Sequence, residues 1–218
     1  MRRTASARAA PVNKGRQMHR ELYSAEEVND VIRACSRRSS SGVRAAALIG
    51  FLYHTAARVG ETLALEAKDL DLDTGRARLL NTKTRKVRTV AVSGEALALC
   101  RRWQDRREAL GISGGRRPFF CTLAGGPVST AYVRGLFSRL GRRAGLERRF
   151  HAHGLRGTAL VELDRAGVPI HVIRDIAGHR SLGTTNGYLR TDNPEDALAA
   201  LEARDAVRAR GKKDKAEE

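Results

Sequence analysis

The sequence predicts an α+β domain that is mainly helical, with a small three-stranded antiparallel sheet between its helices. Several segments place apolar residues at helical spacing behind a residue that can cap a helix. One stretch, residues 70–92, has instead the shorter period and the turn signals of strands. A chain of 218 residues can bury about 70% of its unfolded surface, so a substantial core is expected.

The first helix is predicted to begin at a capping box, Ser24-Ala-Glu-Glu27. Apolar residues then recur at helical spacing as far as Cys35. Residues 37–42 are polar and are interpreted as a linker. The first twenty residues are basic, without periodicity, and are predicted to form a flexible arm.

An apolar helix is predicted for residues 43–56, with Arg58 near its end. A second short helix, about residues 60–68, places Glu61 one turn beyond that arginine.

The change of period at Leu70 marks the start of the predicted sheet. A turn at residues 73–75 follows, and two further strands, about residues 76–81 and 87–92, flank a short basic loop. Lys83 is therefore expected at the tip of a hairpin.

The remainder of the chain is predicted to be helical. Capping and helix-ending residues divide it into helices at about 94–110, from Ser129 or Thr130, from His153 to Ala166, from Pro169 to Gly178, around Tyr188, and from Asn193 onward.

Six residues with chemically useful side chains occur in a suggestive order: Arg58, Lys83, His153, Arg156, His179 and Tyr188. A phosphodiester is anionic, so breaking it without a metal requires positive charge where the transition state gains negative charge. Arginine supplies this well because its planar guanidinium stays protonated and can hold two phosphate oxygens. A tyrosine hydroxyl, with an ordinary pKa of about 10, needs a nearby base, and a loop lysine can protonate the leaving group.

Each of these residues also has a structural explanation when it is taken alone. A tyrosine such as Tyr188 more often packs than reacts, and any two arginines are common in so basic a chain. His153 competes with His151, although only His153 lies one turn before the second arginine. Lys83 has two basic competitors in its own loop.

Four segments carry a family resemblance: Thr55-Ala-Ala-Arg58-Val-Gly-Glu61, residues 81–92 around Lys83, His153-Gly-Leu-Arg156-Gly-Thr158, and Ala177-Gly-His179 through Tyr188. With these segments the chain resembles the catalytic domain of the tyrosine recombinases, the phage integrase family. The resemblance covers roughly residues 24–200, nearly the whole chain.

The resemblance implies which residues would hold the substrate. Arg58 and Arg156 would grip the scissile phosphate, and His179 would donate a hydrogen bond to it. Glu61 matches a family carboxylate that supports the site.

The resemblance also implies which residues would react. Tyr188 would attack to give a 3′-phosphotyrosine, Lys83 would protonate the leaving 5′ oxygen, and His153 would act as acid or base. The chain departs from the family at Gly157, where a histidine is often found. This lowers the local helix propensity but removes no proposed catalytic group.

The charge of the chain agrees with a polyanionic partner. Lysine and arginine number 41 against 24 aspartate and glutamate, which gives a net charge of +17. Such an excess is typical of proteins that bind nucleic acid. Aromatic residues make up only 5% of the chain, which disfavours base stacking and favours contact with the backbone of double-stranded DNA.

No cofactor is predicted, and the resemblance implies a reaction that needs neither metal nor ATP. Three widely spaced cysteines indicate neither a disulfide framework nor a zinc site. Apolar runs stay shorter than the ~18 residues of a membrane span, and no secretion signal is visible. The predicted location is the cytoplasm of a bacterial-type cell, at the nucleoid.

The resemblance and the charge together predict a site-specific DNA recombinase of the integrase or invertase type, which is a strand transferase. The resemblance also implies that it forms a tetramer when synapsed on DNA. Accessory DNA-bending proteins are further candidate partners. The predicted organisation is an arm (1–20), a catalytic domain (21–209) and a charged tail (210–218), without the family's N-terminal core-binding domain. In size this is similar to the fimbrial-switch invertases. Two alternatives stay open: a type IB topoisomerase, and an idle DNA-binding relic of a larger integrase.

Overall fold

A computed structural model describes residues 22–80, 87–92 and 94–178. Within them one compact unit ends at Ala159 and a second begins at Leu160. In chain order the elements are α1 (Ala25–Ala34), α2 (Ser40–Thr55), α3 (Val59–Leu63), a 3-10 turn (Ala67–Asp69), β1 (Leu70–Asp71), β2 (Arg76–Leu80), β3 (Val87–Ala91), α4 (Gly94–Ala109), α5 (Thr130–Arg143), α6 (Ala152–Arg165) and α7 (Ile170–Ala177). The predicted fold class, mainly helical α+β with a three-stranded antiparallel sheet, is confirmed.

The capping box predicted at the start of α1 is confirmed. The Ser24 hydroxyl accepts the backbone N–H of Glu27 at 3.1 Å, and the Glu27 carboxylate accepts the backbone N–H of Ser24 at 2.7 Å. The helix ends before Cys35, which is 4% exposed. Burial raises the pKa of that thiol to about 11, so Cys35 is a core residue, as its position on the apolar stripe predicts.

The boundary predicted between the polar linker and the second helix was wrong. Helix α2 begins at Ser40, inside the predicted linker, because the Ser39 hydroxyl accepts the backbone N–H of Gly42 at 3.2 Å. The helix lies close along α4, since a Cβ added at Gly50 would stand 2.8 Å from Leu99 Cδ1. This close approach explains why a glycine is accepted inside a buried helix.

The helix predicted at about residues 60–68 is shorter in the structure. Helix α3 ends at Leu63, and a separate 3-10 turn covers Ala67–Asp69. Arg58 lies in extended backbone as the N-cap residue of α3, beyond the end of α2.

The predicted sheet is confirmed in strand order and direction. The order is β1-β2-β3 and both pairings are antiparallel, with Leu79 opposite Arg88 and Ala77 opposite Val90. Ala77 and Leu79 are fully buried, so one face of β2 joins the core. Lys83 and its loop, residues 81–86, lie outside the described residues.

The segment between α4 and α5 is not helical, and it lies between the helix predicted at about residues 94–110 and the one predicted from Ser129 or Thr130. Pro118 pairs with Glu66, and Cys121 with Pro127, in isolated antiparallel β-bridges. Phe119, Phe120 and Cys121 follow one another there and are all buried. The backbone carbonyl of Phe119 accepts the indole N–H of fully buried Trp103 at 2.8 Å. A loop thus supplies part of the core, and its apolar residues are buried by tertiary packing although they do not follow a helical spacing.

In the second unit, α7 ends as predicted at Gly178, which has a left-handed φ of 63°. Pro169 stands one position earlier than predicted, at the N-cap. The predicted cap Ser93, the helix around Tyr188, the helix from Asn193, the arm (1–20) and the tail (210–218) lie outside the described residues. None of the described helices is long and apolar enough to cross a membrane.

Candidate active site

Arg58 is placed by an unusual turn at the end of α2. Ala56, the C-cap residue of that helix, has a left-handed backbone with φ of 50° and is fully buried. In an L-residue this conformation costs roughly 1–2 kcal/mol. The turn ends α2 sharply and allows α3 to start three residues later, with Arg58 at its N-cap. Strain of this kind persists where the surrounding packing requires it, often at functional sites.

Glu61 binds Arg58 in two ways. Its carboxylate accepts the backbone N–H of Arg58 at 3.2 Å and the Arg58 Nη1 at 2.9 Å. The side chain of Glu61 is only 4% exposed, whereas that of Arg58 is 39% exposed. An arginine has no acceptor, so only the carboxylate half of a capping box can form here. Glu61 therefore fixes both the backbone and the guanidinium of the predicted phosphate-binding residue.

A second arginine binds the same carboxylate. Arg88 of β3 donates its Nη2 to Glu61 Oε2 at 2.8 Å, and its side chain is 15% exposed. Burial acts to raise the pKa of Glu61, but the hydrogen bonds and positive charges of Arg88 and Arg58 outweigh it and hold that pKa below its ordinary value. Arg88 was not among the predicted site residues. The available signal was its inward position in the strand, two residues before buried Val90.

Arg156 contacts the turn at Ala56, although it lies far from it in the sequence. It lies in α6, is 3% exposed, and donates Nη1 to the backbone carbonyl of Ala56, 100 residues earlier in the chain. A hydrogen bond from a charged donor to a buried carbonyl fixes the guanidinium strongly. The strained turn at Ala56 therefore brings Arg156 to the segment that holds Arg58.

The two neighbouring histidines have different surroundings. His153 lies in the first turn of α6 and is exposed, while His151 precedes the helix and is half-buried. The His151 Nδ1 accepts the backbone N–H of Gly154 at 3.0 Å, so this ring caps the helix and must carry its proton on Nε2 when neutral. The rings of His151 and His153 stack with centroids 6.4 Å apart. The geometry therefore gives His151 a structural task and leaves His153 on the exposed side of the turn.

Tyr23 supports the first turn of α6, a role that was not predicted from the sequence. Its backbone N–H donates to Thr158 Oγ1 at 2.8 Å, and its hydroxyl donates to the carbonyl of Arg149 at 2.7 Å. The hydroxyl also accepts the backbone N–H of His151 at 3.1 Å. The ring lies against Gly154, where an added Cβ would stand 2.5 Å from Tyr23 Cε2. A glycine between His153 and Arg156 is thus required by the tyrosine beneath it.

The structure describes four of the seven predicted site residues: Arg58, Glu61, His153 and Arg156. It joins Arg58 to Glu61 directly and brings Arg156 to the turn before Arg58. Lys83, His179 and Tyr188 lie outside the described residues. Within residues 22–80, 87–92 and 94–178, no group of three or more histidine, cysteine or acidic side chains is arranged to hold a metal ion.

The sequence and the fold can be compared with known proteins at this point. The chain is 30% identical over 187 residues to a probable integrase/recombinase protein of Methanocaldococcus jannaschii, which covers 83% of this chain and 56% of that protein. It is 31% identical over 177 residues to the tyrosine recombinase XerC of Xanthomonas campestris pv. campestris, covering 81% and 52%. The chain thus spans about half the length of these curated relatives.

Solved structures show the same likeness. The XerA recombinase superposes with a TM-score of 0.73 at 26% identity, covering 90% of this chain and 69% of that one. The XerH site-specific recombinase bound to its palindromic difH substrate gives a TM-score of 0.69 at 25% identity, covering 83% and 52%. The phage integrase family itself matches residues 22–195. That match takes in most of the sequence, and the chain therefore belongs to the phage integrase family.

Proposed function

We propose that this chain is a site-specific DNA recombinase that cleaves and rejoins strands through a 3′-phosphotyrosine at Tyr188. The observation that carries the proposal is the pairing of two arginines at one turn. Arg156 binds the carbonyl of Ala56, and Arg58, two residues later, is held by buried Glu61. Two preorganised guanidiniums are what a phosphoryl transition state needs, and losing one such donor typically costs about 10² to 10³ in rate.

The remaining roles come from the family resemblance. Tyr188 attacks the phosphorus while its hydroxyl proton passes to a base, the 5′ oxygen leaves with a proton from Lys83, and rejoining reverses these transfers. His153 serves as acid or base, and His179 donates a hydrogen bond to the phosphate. Every atom transferred belongs to the DNA or to these side chains, so the reaction needs no metal, cofactor or ATP.

The proposed partner is double-stranded DNA. XerH was solved bound to its difH substrate, and a lambda integrase dimer was solved on a core DNA site. The net charge of +17 supports an anionic partner here. By extension from the family, strand exchange takes place in a synapsed tetramer, with accessory DNA-bending proteins as further partners, at the nucleoid of a bacterial-type cell.

The test is covalent trapping. The protein is incubated with nicked duplexes that carry candidate sites, the mixture is denatured, and a protein–DNA adduct is sought on a gel. Tyr188→Phe is expected to abolish the adduct while leaving DNA binding unchanged. Tyr132→Phe is the matched control, because Tyr132 is 42% exposed on α5 and its hydroxyl bonds only to Arg44 among the described contacts.

An adduct that survives Tyr188→Phe contradicts the mechanism. Relaxation of supercoiled plasmid without site preference favours the type IB topoisomerase alternative. Binding to DNA without any adduct, on every candidate site, favours a chain that keeps the fold but not the reaction.

A further inference from the structure

The cluster formed by Glu61, Arg58 and Arg88 contains one carboxylate and two guanidiniums. Its two oxygens are divided between the cations: Oε1 accepts from Arg58 at 2.9 Å and Oε2 accepts from Arg88 at 2.8 Å. The cluster therefore has a net charge of +1. A simple Glu61–Arg58 pair would have none.

This difference matters because Glu61 and a DNA phosphate compete for the same guanidinium. With Arg58 as its single cationic partner, the buried Glu61 carboxylate would hold the Arg58 guanidinium strongly, because only 4% of the Glu61 side chain is exposed. A second cation on the other oxygen weakens that hold. Arg58, whose side chain is 39% exposed, can then also bind an incoming anion.

Arg88 is well placed for such a task. Its side chain is 15% exposed, so it acts from within the fold while Arg58 faces outward. Its backbone lies opposite Leu79, within the pairing of β2 with β3. That pairing continues without a break along both strands. The cation is thus supplied by a rigid strand.

From this arrangement we infer that Arg88 is a positioning residue, which neutralises and orients Glu61 so that the guanidinium of Arg58 can bind the scissile phosphate. The inference rests on the proposed function, because it assigns Arg58 to that phosphate. It adds to the predicted set a residue that acts through Glu61 and does not touch the DNA.

The test compares Arg88→Gln, Arg88→Lys and a control, Arg78→Gln, by the single-turnover rate of adduct formation at saturating nicked duplex. Arg78 is matched because it lies on the adjacent strand, is 66% exposed, and pairs with Asp69 at 3.9 Å. Arg88→Gln is expected to lower the rate about 10-fold to 100-fold, as for groups that orient a ligand through another residue. Arg88→Lys, which keeps the charge, is expected to recover part of the loss, and Arg78→Gln to leave the rate unchanged.

A second measurement needs no turnover. Orthovanadate imitates phosphate, and its dissociation constant is obtained from the rise in melting temperature with concentration. Arg88→Gln is expected to weaken orthovanadate binding about 10-fold, and Arg78→Gln to leave it unchanged. Adding Glu61→Gln to Arg88→Gln is expected to restore part of the affinity, because the uncompensated carboxylate is then gone.

The outcomes separate the two proposals. If Arg88→Gln leaves both the rate and the orthovanadate affinity within about 3-fold of wild type, or if Arg78→Gln causes an equal loss, the role of Arg88 is refuted. A full loss from Arg88→Gln in a Glu61→Gln background also refutes it, since Arg88 would then act without Glu61. If the wild-type chain forms no adduct but the orthovanadate pattern holds, the recombinase proposal fails and the role of Arg88 stands.

Discussion

Replacing Gly154 by alanine tests the packing that supports the first turn of α6. The new Cβ would stand 2.5 Å from Tyr23 Cε2, 2.8 Å from its hydroxyl oxygen and 2.9 Å from Cζ. Ordinary contacts between carbon atoms are about 3.5–4.0 Å, so the ring must move by roughly 1 Å. The ring is 3% exposed and its hydroxyl bonds to the backbone of Arg149 and His151. Movement therefore disturbs two hydrogen bonds.

The expected magnitude follows from opposing effects. Overpacking a well-filled site costs about 1–3 kcal/mol, and weakening the hydroxyl's hydrogen bonds adds about 1 kcal/mol. Replacing a helical glycine by alanine returns about 0.5–1 kcal/mol. We therefore expect Gly154→Ala to lower the free energy of unfolding by about 2 kcal/mol, or the melting temperature by about 4–8 °C.

The assay is urea unfolding followed by circular dichroism, with the midpoint and the slope both fitted. Gly60→Ala is the control, because among the described residues, outside its chain neighbours and its own helix backbone, no atom lies within 4 Å of a Cβ added there. It is expected to be neutral or slightly stabilising. In a Tyr23→Leu background the cost of Gly154→Ala is expected to fall by at least about 1 kcal/mol. If Gly154→Ala matches wild type, or costs the same in both backgrounds, the reasoning is wrong.

Three further predictions concern the turn, the carboxylate and the arm. Ala56→Gly relieves about 1–2 kcal/mol of backbone strain but loses about 0.5–1 kcal/mol to chain entropy and about 0.8 kcal/mol of buried methyl, so its unfolding free energy should stay within about 1 kcal/mol of wild type. Ala56→Val, a β-branched residue at positive φ, should cost more than about 2 kcal/mol in the same urea assay, and a neutral Ala56→Val would contradict the strain. The pKa of Glu61 is lowered in the folded chain, so its stabilising effect is complete above its unfolded pKa of about 4.3 and is lost as the pH falls through the folded value. The difference in unfolding free energy between wild type and Glu61→Gln should thus be constant from about pH 5 to 7 and shrink below about pH 4; a difference that grows toward acid would exclude the assigned pairing. Deleting residues 1–20, which contain six cations and no acid, should weaken DNA binding and reduce the slope of log affinity against log salt by up to about 5; an unchanged slope would show that the arm makes no phosphate contacts.

The features that local sequence determines were predicted correctly. The capping box at Ser24 depends on residues three positions apart, and the sheet follows from a change of period and a turn within residues 70–92. Glu61 was placed one turn beyond Arg58, and the structure pairs the two side chains. In each case the partners are neighbours in sequence, so composition and spacing are sufficient.

The features that were missed depend on distant contacts or on competing local signals. Tyr23 bonds to residues 126 to 135 positions away, and no spacing rule connects such partners. Arg88 binds Glu61 across 27 positions, and the sequence does not show which arginine shares a carboxylate. The early start of α2 was missed because a run of serines is typical of linkers as well as of helix caps. The core segment near Phe119 has no helical period, and only its packing explains its burial.

The support that Tyr23 gives to α6 has a consequence for the order in which the chain folds. Residues 22–27 are synthesised before their partners, Arg148 to Thr158, which lie more than 120 positions later in the chain. Contacts of such high sequence separation form slowly, because a long loop must close first. The start of α1 therefore lacks these partners until α6 has been synthesised. Arg58 and Arg156, the two arginines at the Ala56 turn, come together only late in synthesis.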